Sequence, residues 1–218
     1  MKSIDTILLV LSLCLKVFTI YFAAVAVFTL RRRRRRAQAK PQTRFAVLAA
    51  ARNEEAVIGG FVLSVLDQDY PAELRDVYVI PNNCTDNTEA AAQAAGANII
   101  HCLGEVTGKG DALHQAFAQL MAKGYDAFVV FDADNILAPD YLARMNDAFA
   151  AGAMVCKSRT KAANPAAGPV AGCYGLYNAC FDLIWNRARA ACGLSAKLIG
   201  TGFAVRREVL ESLGGWNT

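Results

Sequence analysis

Asp132-Ala133-Asp134 stands directly after the apolar run AFVVF, where an extended strand would end. Two carboxylates two residues apart at such a place can turn their oxygens toward one hard divalent cation and a diphosphate bound with it. A second copy of the pattern, Asp67-Gln68-Asp69, falls at the end of a helical run and reads as a solvated turn. Position separates the two copies, because ligands of α/β sheets bind at the carboxyl ends of strands. Three further polar clusters follow strand-like runs: Arg52-Asn53-Glu54-Glu55, Asn82-Asn83-Cys84-Thr85-Asp86 and Gly108-Lys109-Gly110-Asp111. Each has a structural use, as helix-terminal acids, turn and cap residues, or a flexible loop. Together they face one crevice. Two nucleotide loops do not fit. Gly104 is one residue too close to Gly108-Lys109 for a P-loop, and neither Gly108-x-Gly110 nor Gly200-x-Gly202 has the third glycine of the dinucleotide fingerprint. A phosphate site here would rely on Lys109 and a metal ion. His101 and His114 lack partners at ligand spacing and read as structural, and the seven cysteines form neither C-x-x-C pairs nor zinc spacings.

The elements that must position these residues alternate. Strands are expected at 45–50, 76–80, 98–101, 127–131 and 154–156, with helices at 54–66, from the D-x-x-E capping pattern at Asp86 to Gly96, at 111–123, and from Pro139 to Ala150. This predicts an α/β fold with a mainly parallel sheet flanked by helices. Beyond Lys157 the pattern weakens to a Pro/Gly/Ala loop over 164–172, a helix from Tyr174 to Ala191 and a turn at Gly200-Thr201-Gly202 before a short apolar run. The aromatic residues at 174, 177, 181 and 185 lie on one helical face, and packing of an amphipathic face is the favoured reading over a sugar-stacking or membrane-facing surface.

The composition, 55% hydrophobic over 218 residues, excludes disorder for most of the chain and demands a search for a membrane segment. Ile7 to Leu30 is that segment, with Lys16 its only charge. Ala24-Val25-Ala26 has the small-x-small form of a signal cleavage site, but the run Arg31 to Arg36 just downstream opposes translocation, so an anchor is expected. The positive-inside rule then puts the N-terminus outside and the remainder in the cytoplasm, at the inner or plasma membrane. From Ala37 onward 15 cations face 18 carboxylates, a net charge of −3, which gives no footprint for nucleic acid. The expected layout is an anchor with its arginine cluster at 1–36, a linker at 37–44 and one α/β domain at 45–218.

The ordered set ARNEE, PNNCTDNT, GKGDAL, FDADN and GTGFAVRREVLESLGGW resembles the nucleotide-sugar domain of membrane-bound family 2 glycosyltransferases, the group with cellulose, hyaluronan and poly-N-acetylglucosamine synthases, over about residues 44 to 217. The resemblance implies a GT-A fold. It also implies an inverting, metal-dependent transfer from a nucleoside-diphosphate sugar, usually UDP, to a hydroxyl of a glycan or lipid acceptor. By position, Ala51, Arg52 and Glu54 would line base and ribose, with Asn82 and Asp86 nearby, and Lys109 would approach the nucleotide. Asp132 would meet the ribose or sugar side and, with Asp134, hold Mg²⁺ or Mn²⁺ on the diphosphate. Gly200, Thr201 and Gly202 would border the acceptor. Asn82 stands where the family commonly has an aspartate, which leaves the base open. The family's general base belongs to a T-E-D-like motif after a segment like Leu213-Gly214-Gly215-Trp216. The base is therefore expected beyond Thr218, the chain to be C-terminally truncated, and this portion alone to be inactive. The alternatives are a catalytically incomplete, membrane-tethered nucleotide-sugar-binding subunit and a nucleotidyltransferase that releases pyrophosphate.

Overall fold

A computed structural model describes residues 2–30, 37–104, 106–198 and 200–216. The arginine run 31–36 lies outside the described residues. The chain divides into two compact units, one drawn from residues 1–35 and 159–197, the other from 36–158 and 198–218.

In the first unit, helix α1 (Lys2–Val27) continues as a single 3₁₀ turn, Phe28–Leu30. The stretch Ile4–Leu30, 27 residues, is long and apolar enough to cross a bilayer, and most of its side chains face outward, Val25 being buried. The later part of this unit is one nearly continuous helical run: α6 (Pro169–Cys180), a π-helical segment (Phe181–Ala188) and α7 (Arg189–Ala191). It begins five residues before the sequence pattern suggested, because Pro169 takes the first helical position, where its missing N–H costs nothing. Of the aromatic stripe, Phe181 stacks on Trp185 at 6.0 Å and Trp185 meets Phe22 of α1 at 4.8 Å, whereas Tyr174 and Tyr177 are exposed, so the expected packed face holds for only half of it.

The second unit is built on a six-stranded sheet. Its strands are β1 (Phe45–Ala51), β2 (Arg75–Pro81), β3 (Asn98–Ile99), β4 (Ala127–Asp132), β5 (Val155–Lys157) and β6 (Phe203–Arg206), in the order β3-β2-β1-β4-β6-β5. The first four are parallel, while β6 runs antiparallel to both β4 and β5. β1 is central, and its alternation is that of a strand covered on both faces. Phe45, Val47, Ala49 and Ala51 join the core beneath helices α2 (Glu55–Leu66) and α5 (Tyr141–Ala150). Ala46 and Leu48 join the opposite core beneath α4 (Lys109–Leu120) and α8 (Arg207–Ser212). Register matters more than content: Ala50 pairs with Ile80 of β2 on one side and with Asp132 of β4 on the other. The carboxyl ends of three strands are therefore level, and the loops that follow them meet.

Helix α3 (Thr88–Ala94) starts where the sequence placed it, but the capping box does not form. Asp86 binds the N–H of Thr88, two residues on, while Glu89 pairs with His101 at 3.4 Å. Within the second acidic pair, Gln68 is the residue that matters. Buried, it donates to the Ala138 carbonyl at 2.8 Å and accepts the Leu142 N–H at 3.0 Å, fastening α2 to α5.

The segment preceding β1 is strapped to α5. The Oδ1 of buried Asn146 accepts the Thr43 N–H and hydroxyl at 3.2 and 3.0 Å, and its Nδ2 donates to the Lys40 carbonyl at 3.0 Å. The Ala39 N–H donates to Asp147 at 2.8 Å. Replacing Asn146 strands several buried groups at once, so Asn146→Ala is expected to cost about 2–4 kcal/mol in denaturant unfolding. A loss below about 0.5 kcal/mol would show that the strap is not coupled to folding.

Candidate active site

The first two loops at the carboxyl edge are latched to each other. Asn53 turns through φ 57° and Asn83 through φ 51°, a left-handed conformation that asparagine tolerates better than most residues. Asn53 Oδ1 accepts the Thr85 N–H at 2.8 Å, and the Glu54 N–H donates to Thr88 Oγ1 at 2.8 Å. Glu55 and Asp86 exchange caps: the Glu55 N–H donates to Asp86 Oδ2 at 3.1 Å, and the Asn87 N–H donates to Glu55 Oε2 at 3.1 Å. Asp86 also accepts the hydroxyl of Thr88. That bond, aided by the N–H groups of Glu55 and Thr88, holds the Asp86 carboxyl below the usual carboxylate range. Its carboxylate is thus occupied in shaping the crevice. At the base of the same loops, Asn82 donates its N–H to the Ala51 carbonyl at 2.8 Å. Its side-chain Oδ1 is buried with no hydrogen-bond partner among the described residues. Arg52 is exposed above them.

The third loop joins through Asn83, whose Nδ2 donates to the Val106 carbonyl at 3.0 Å. Thr107 binds Asp111 through both its N–H and its hydroxyl, with the hydroxyl bond the main cause of the low Asp111 carboxyl. This fixes the start of α4. Lys109 then extends to the end of β4, where its Nζ donates to Asp132 Oδ1 and to the Gly200 carbonyl, the latter at 2.9 Å. Gly200-Thr201-Gly202 closes the far side. Thr201 Oγ1 accepts the Asp132 N–H at 2.8 Å and donates to Asn135 Oδ1 at 2.6 Å. Lys157 Nζ donates to the Thr201 carbonyl at 2.7 Å. Asp134 is exposed in the turn after β4, where its Oδ1 accepts from Asn135 Nδ2 at 2.8 Å.

The sequence-derived residues thus fall into two clusters along one edge. Ala51, Glu54, Asn82 and Asp86 lie in the latched loops, with Arg52 exposed beside them, and Lys109, Asp132, Gly200 and Thr201 share direct contacts. Lys157 had no signal in the sequence, since it acts on Thr201, 44 residues away. Among the described residues no three His, Cys, Asp or Glu side chains cluster as a metal cage. What the edge does offer a cation is hard oxygen from Asp132 and Asp134, a partial set that suits an ion sharing its remaining positions with diphosphate oxygens and water. Beside Lys109 and Gly200 opens a cavity of about 610 Å³ with largely apolar walls, including Leu113, Val155, Phe203 and Trp216.

A doubly covered α/β sheet with paired carboxylates at the end of β4 defines the class, and comparison supplies the family. Residues 41–218 match the family described as "Glycosyltransferase like family 2", and the chain belongs to it. It is 32% identical over 184 residues to beta-monoglucosyldiacylglycerol synthase of Synechocystis sp., covering 81% of this chain and 38% of that protein. The chain therefore spans well under half the length of this relative. The fold is that of mannosyltransferase PcManGT from Pyrobaculum calidifontis, solved in complex with GDP-Man and Mn²⁺, with a TM-score of 0.68 at 23% identity over 90% of this chain and 54% of that one. Glucosyl-3-phosphoglycerate synthase from Mycobacterium tuberculosis, solved with Mn²⁺, UDP and phosphoglyceric acid, shares it at a TM-score of 0.56 and 24% identity, over 84% of this chain and 64% of that one. The GT-A architecture expected from the motifs is the observed one.

The loop latch makes a pH prediction. Asp86 and Asp111 sit below their unfolded values, so the stability they add is present above about pH 4 and is lost as pH falls through their folded values. Thr88→Val is expected to move the Asp86 midpoint up toward the ordinary range in a carboxyl NMR titration while leaving Asp111 where it is; an unmoved Asp86 would contradict the assignment. Gly202 makes a second one. At φ +68° a Cβ there would lie 2.5 Å from Ser158 Oγ, whereas Gly200 at φ +42° has open space around it. Gly202→Ala is expected to cost about 2–3 kcal/mol in urea unfolding and Gly200→Ala about 1 kcal/mol. Equal losses would show that the close approach of β6 to Ser158 is not what requires glycine.

Proposed function

We propose that this chain carries the donor-binding part of a membrane-anchored, inverting glycosyltransferase that transfers a sugar from a nucleoside-diphosphate sugar to a lipid acceptor hydroxyl at the cytoplasmic membrane face. The observation that carries this reading is the convergence of Lys109, Asp132 and Gly200-Thr201 at the end of β4, in a chain of the glycosyltransferase family. In this reading Ala51, Arg52 and Glu54 line base and ribose. The buried acceptor of Asn82 suits a ring N–H of the base, as uracil N3–H or guanine N1–H offers. Asp86 acts on the nucleotide indirectly, by fixing the loops. A Mg²⁺ or Mn²⁺ ion held by Asp132 and Asp134 would neutralise the diphosphate as it departs. Lys109 adds a positive charge at that point and holds the acceptor-side loop through Gly200. Inversion follows if the acceptor hydroxyl attacks the anomeric carbon from the face opposite the diphosphate.

A lipid acceptor is supported by the apolar cavity bordering Lys109 and Gly200, by the helix α1, and by a relative whose name states a glucosylated diacylglycerol product. We take residues 1–36 as the anchor, with the arginine run 31–36 setting its orientation, and the domain from residue 45 as cytoplasmic.

Calorimetric titration tests the donor site. UDP is expected to bind the purified chain only with Mn²⁺ or Mg²⁺ present. Asp134→Ala should abolish that binding, while Asp67→Ala, in the second acidic pair, should leave it intact. Binding without metal, or none in a well-folded sample, would overturn the reading. In turnover by the full-length protein, release of pyrophosphate instead of UDP would favour nucleotidyl transfer.

A further inference from the structure

In sequence, residues 159–197 stand between β5 and the Gly200-Thr201-Gly202 loop, and the described ones contribute no strand to the sheet. From Ala162 to Phe181 there is no Asp, Glu, Lys, Arg or His. On α6 the apolar side chains point outward: Val170 is 83% exposed, Leu176 67%, and Tyr174 and Tyr177 59% and 58%. A contiguous surface of this kind is what water-soluble proteins avoid unless something covers it. We propose that the helical run 169–191 lies embedded in the bilayer at the level of the acyl-chain region just below the headgroups, packed against α1. This rests on reading α1 as a membrane span.

The contacts to α1 fix the partner and the depth. Trp185 packs on Phe22 at 4.8 Å, and Arg189 Nη1 donates to the Tyr21 hydroxyl at 2.9 Å. Ile4–Leu30 is 27 residues, about 40 Å of helix against a hydrocarbon core of about 30 Å, which leaves about 5 Å spare at each end. Phe22 precedes Leu30 by eight residues, about 12 Å, so it lies about 7 Å inside the hydrocarbon boundary. Any helix packed on Phe22 shares that depth. The side chains agree. Tyr174, Tyr177 and Trp185 are the amphipathic aromatics of membrane interfaces. The charged groups of the run are partnered or have stems long enough to reach water: Asp182 pairs with Arg159 at 3.6 Å, and the Arg189 guanidinium also donates to the Ser195 carbonyl at 3.0 Å.

The chain has two tryptophans, Trp185 and Trp216, and only the first lies in this run. The 218-residue chain, which contains these two tryptophans, is reconstituted in phosphatidylcholine/phosphatidylglycerol vesicles carrying bromine at a shallow or a deep acyl position. In Trp216→Phe, the fluorescence of Trp185 is expected to be blue-shifted and largely lost to shallow bromine, less so to deep bromine, and untouched by aqueous iodide. Trp185→Phe supplies the Trp216 background at each bromine depth, which is subtracted. If Trp216→Phe does not fold, the difference between wild type and Trp185→Phe reads the same quantity. Quenching of Trp185 by iodide overturns the proposal, and so does protection from both quenchers, which would mean a protein partner or a second copy covers the run. Resistance to carbonate extraction is scored separately: a chain that stays in the membrane while Trp185 ignores bromine leaves the anchor standing and removes only the embedded run.

Discussion

The common register of β1 with its two parallel neighbours is the constraint on which the rest depends. A parallel pair has all its carboxyl ends on one edge, and the helical crossovers that join such strands return the chain to the opposite edge each time. Ala50 opposite both Ile80 and Asp132 sets three loop origins level. A slip of one residue in β4 would turn Asp132 to the other face and send Phe128 and Val130 into the wrong core. The large side chains on both faces of β1 and β4 therefore specify the position of the polar residues as firmly as they stabilise the sheet.

Given level loops, most of the polar chemistry at that edge holds the edge together. Glu55, Asp86, Thr88, Asn53, Asn83 and Asp111 are all committed to neighbouring backbone or hydroxyl groups. Among the described residues this leaves few groups to meet a ligand: the side chains of Arg52 and Glu54, the buried oxygen of Asn82, the exposed carboxylate of Asp134, and the Lys109–Asp132 pair. A rigid rim with a small number of uncommitted polar atoms is what selective binding of a flexible diphosphate calls for, because orienting groups fixed in advance lose little freedom when the ligand arrives.

The first unit follows different physics. In the sheet domain, apolar groups are removed from water by the protein itself; in α1 and the run 169–191 they are left outward, and the few polar groups are satisfied internally. The π-helical stretch at Phe181–Ala188 sits where the aromatic stripe meets α1. Such local widening of a helix re-aims side chains without breaking its hydrogen bonding.

The sequence by itself determined the strand–helix alternation, the apolar span, the Asp132-Ala133-Asp134 pair and the glycine turn before β6, because each of these is written in neighbouring residues with a fixed period or a special backbone need. The extent of β3, only two residues, and the early start of α6 at Pro169 were not legible, since both depend on how a segment packs after its local pattern has ended. Nor was the difference between Asp86 and Asp134, two aspartates in similar loop settings. Only the fold turns one into the bracket between two loops and leaves the other exposed. The strap from Asn146 to Thr43 and the support of Thr201 by Lys157 were likewise decided by tertiary structure alone. A hydrogen bond between residues forty or a hundred positions apart leaves no trace in local spacing, and it forms only after the sheet has brought its partners together.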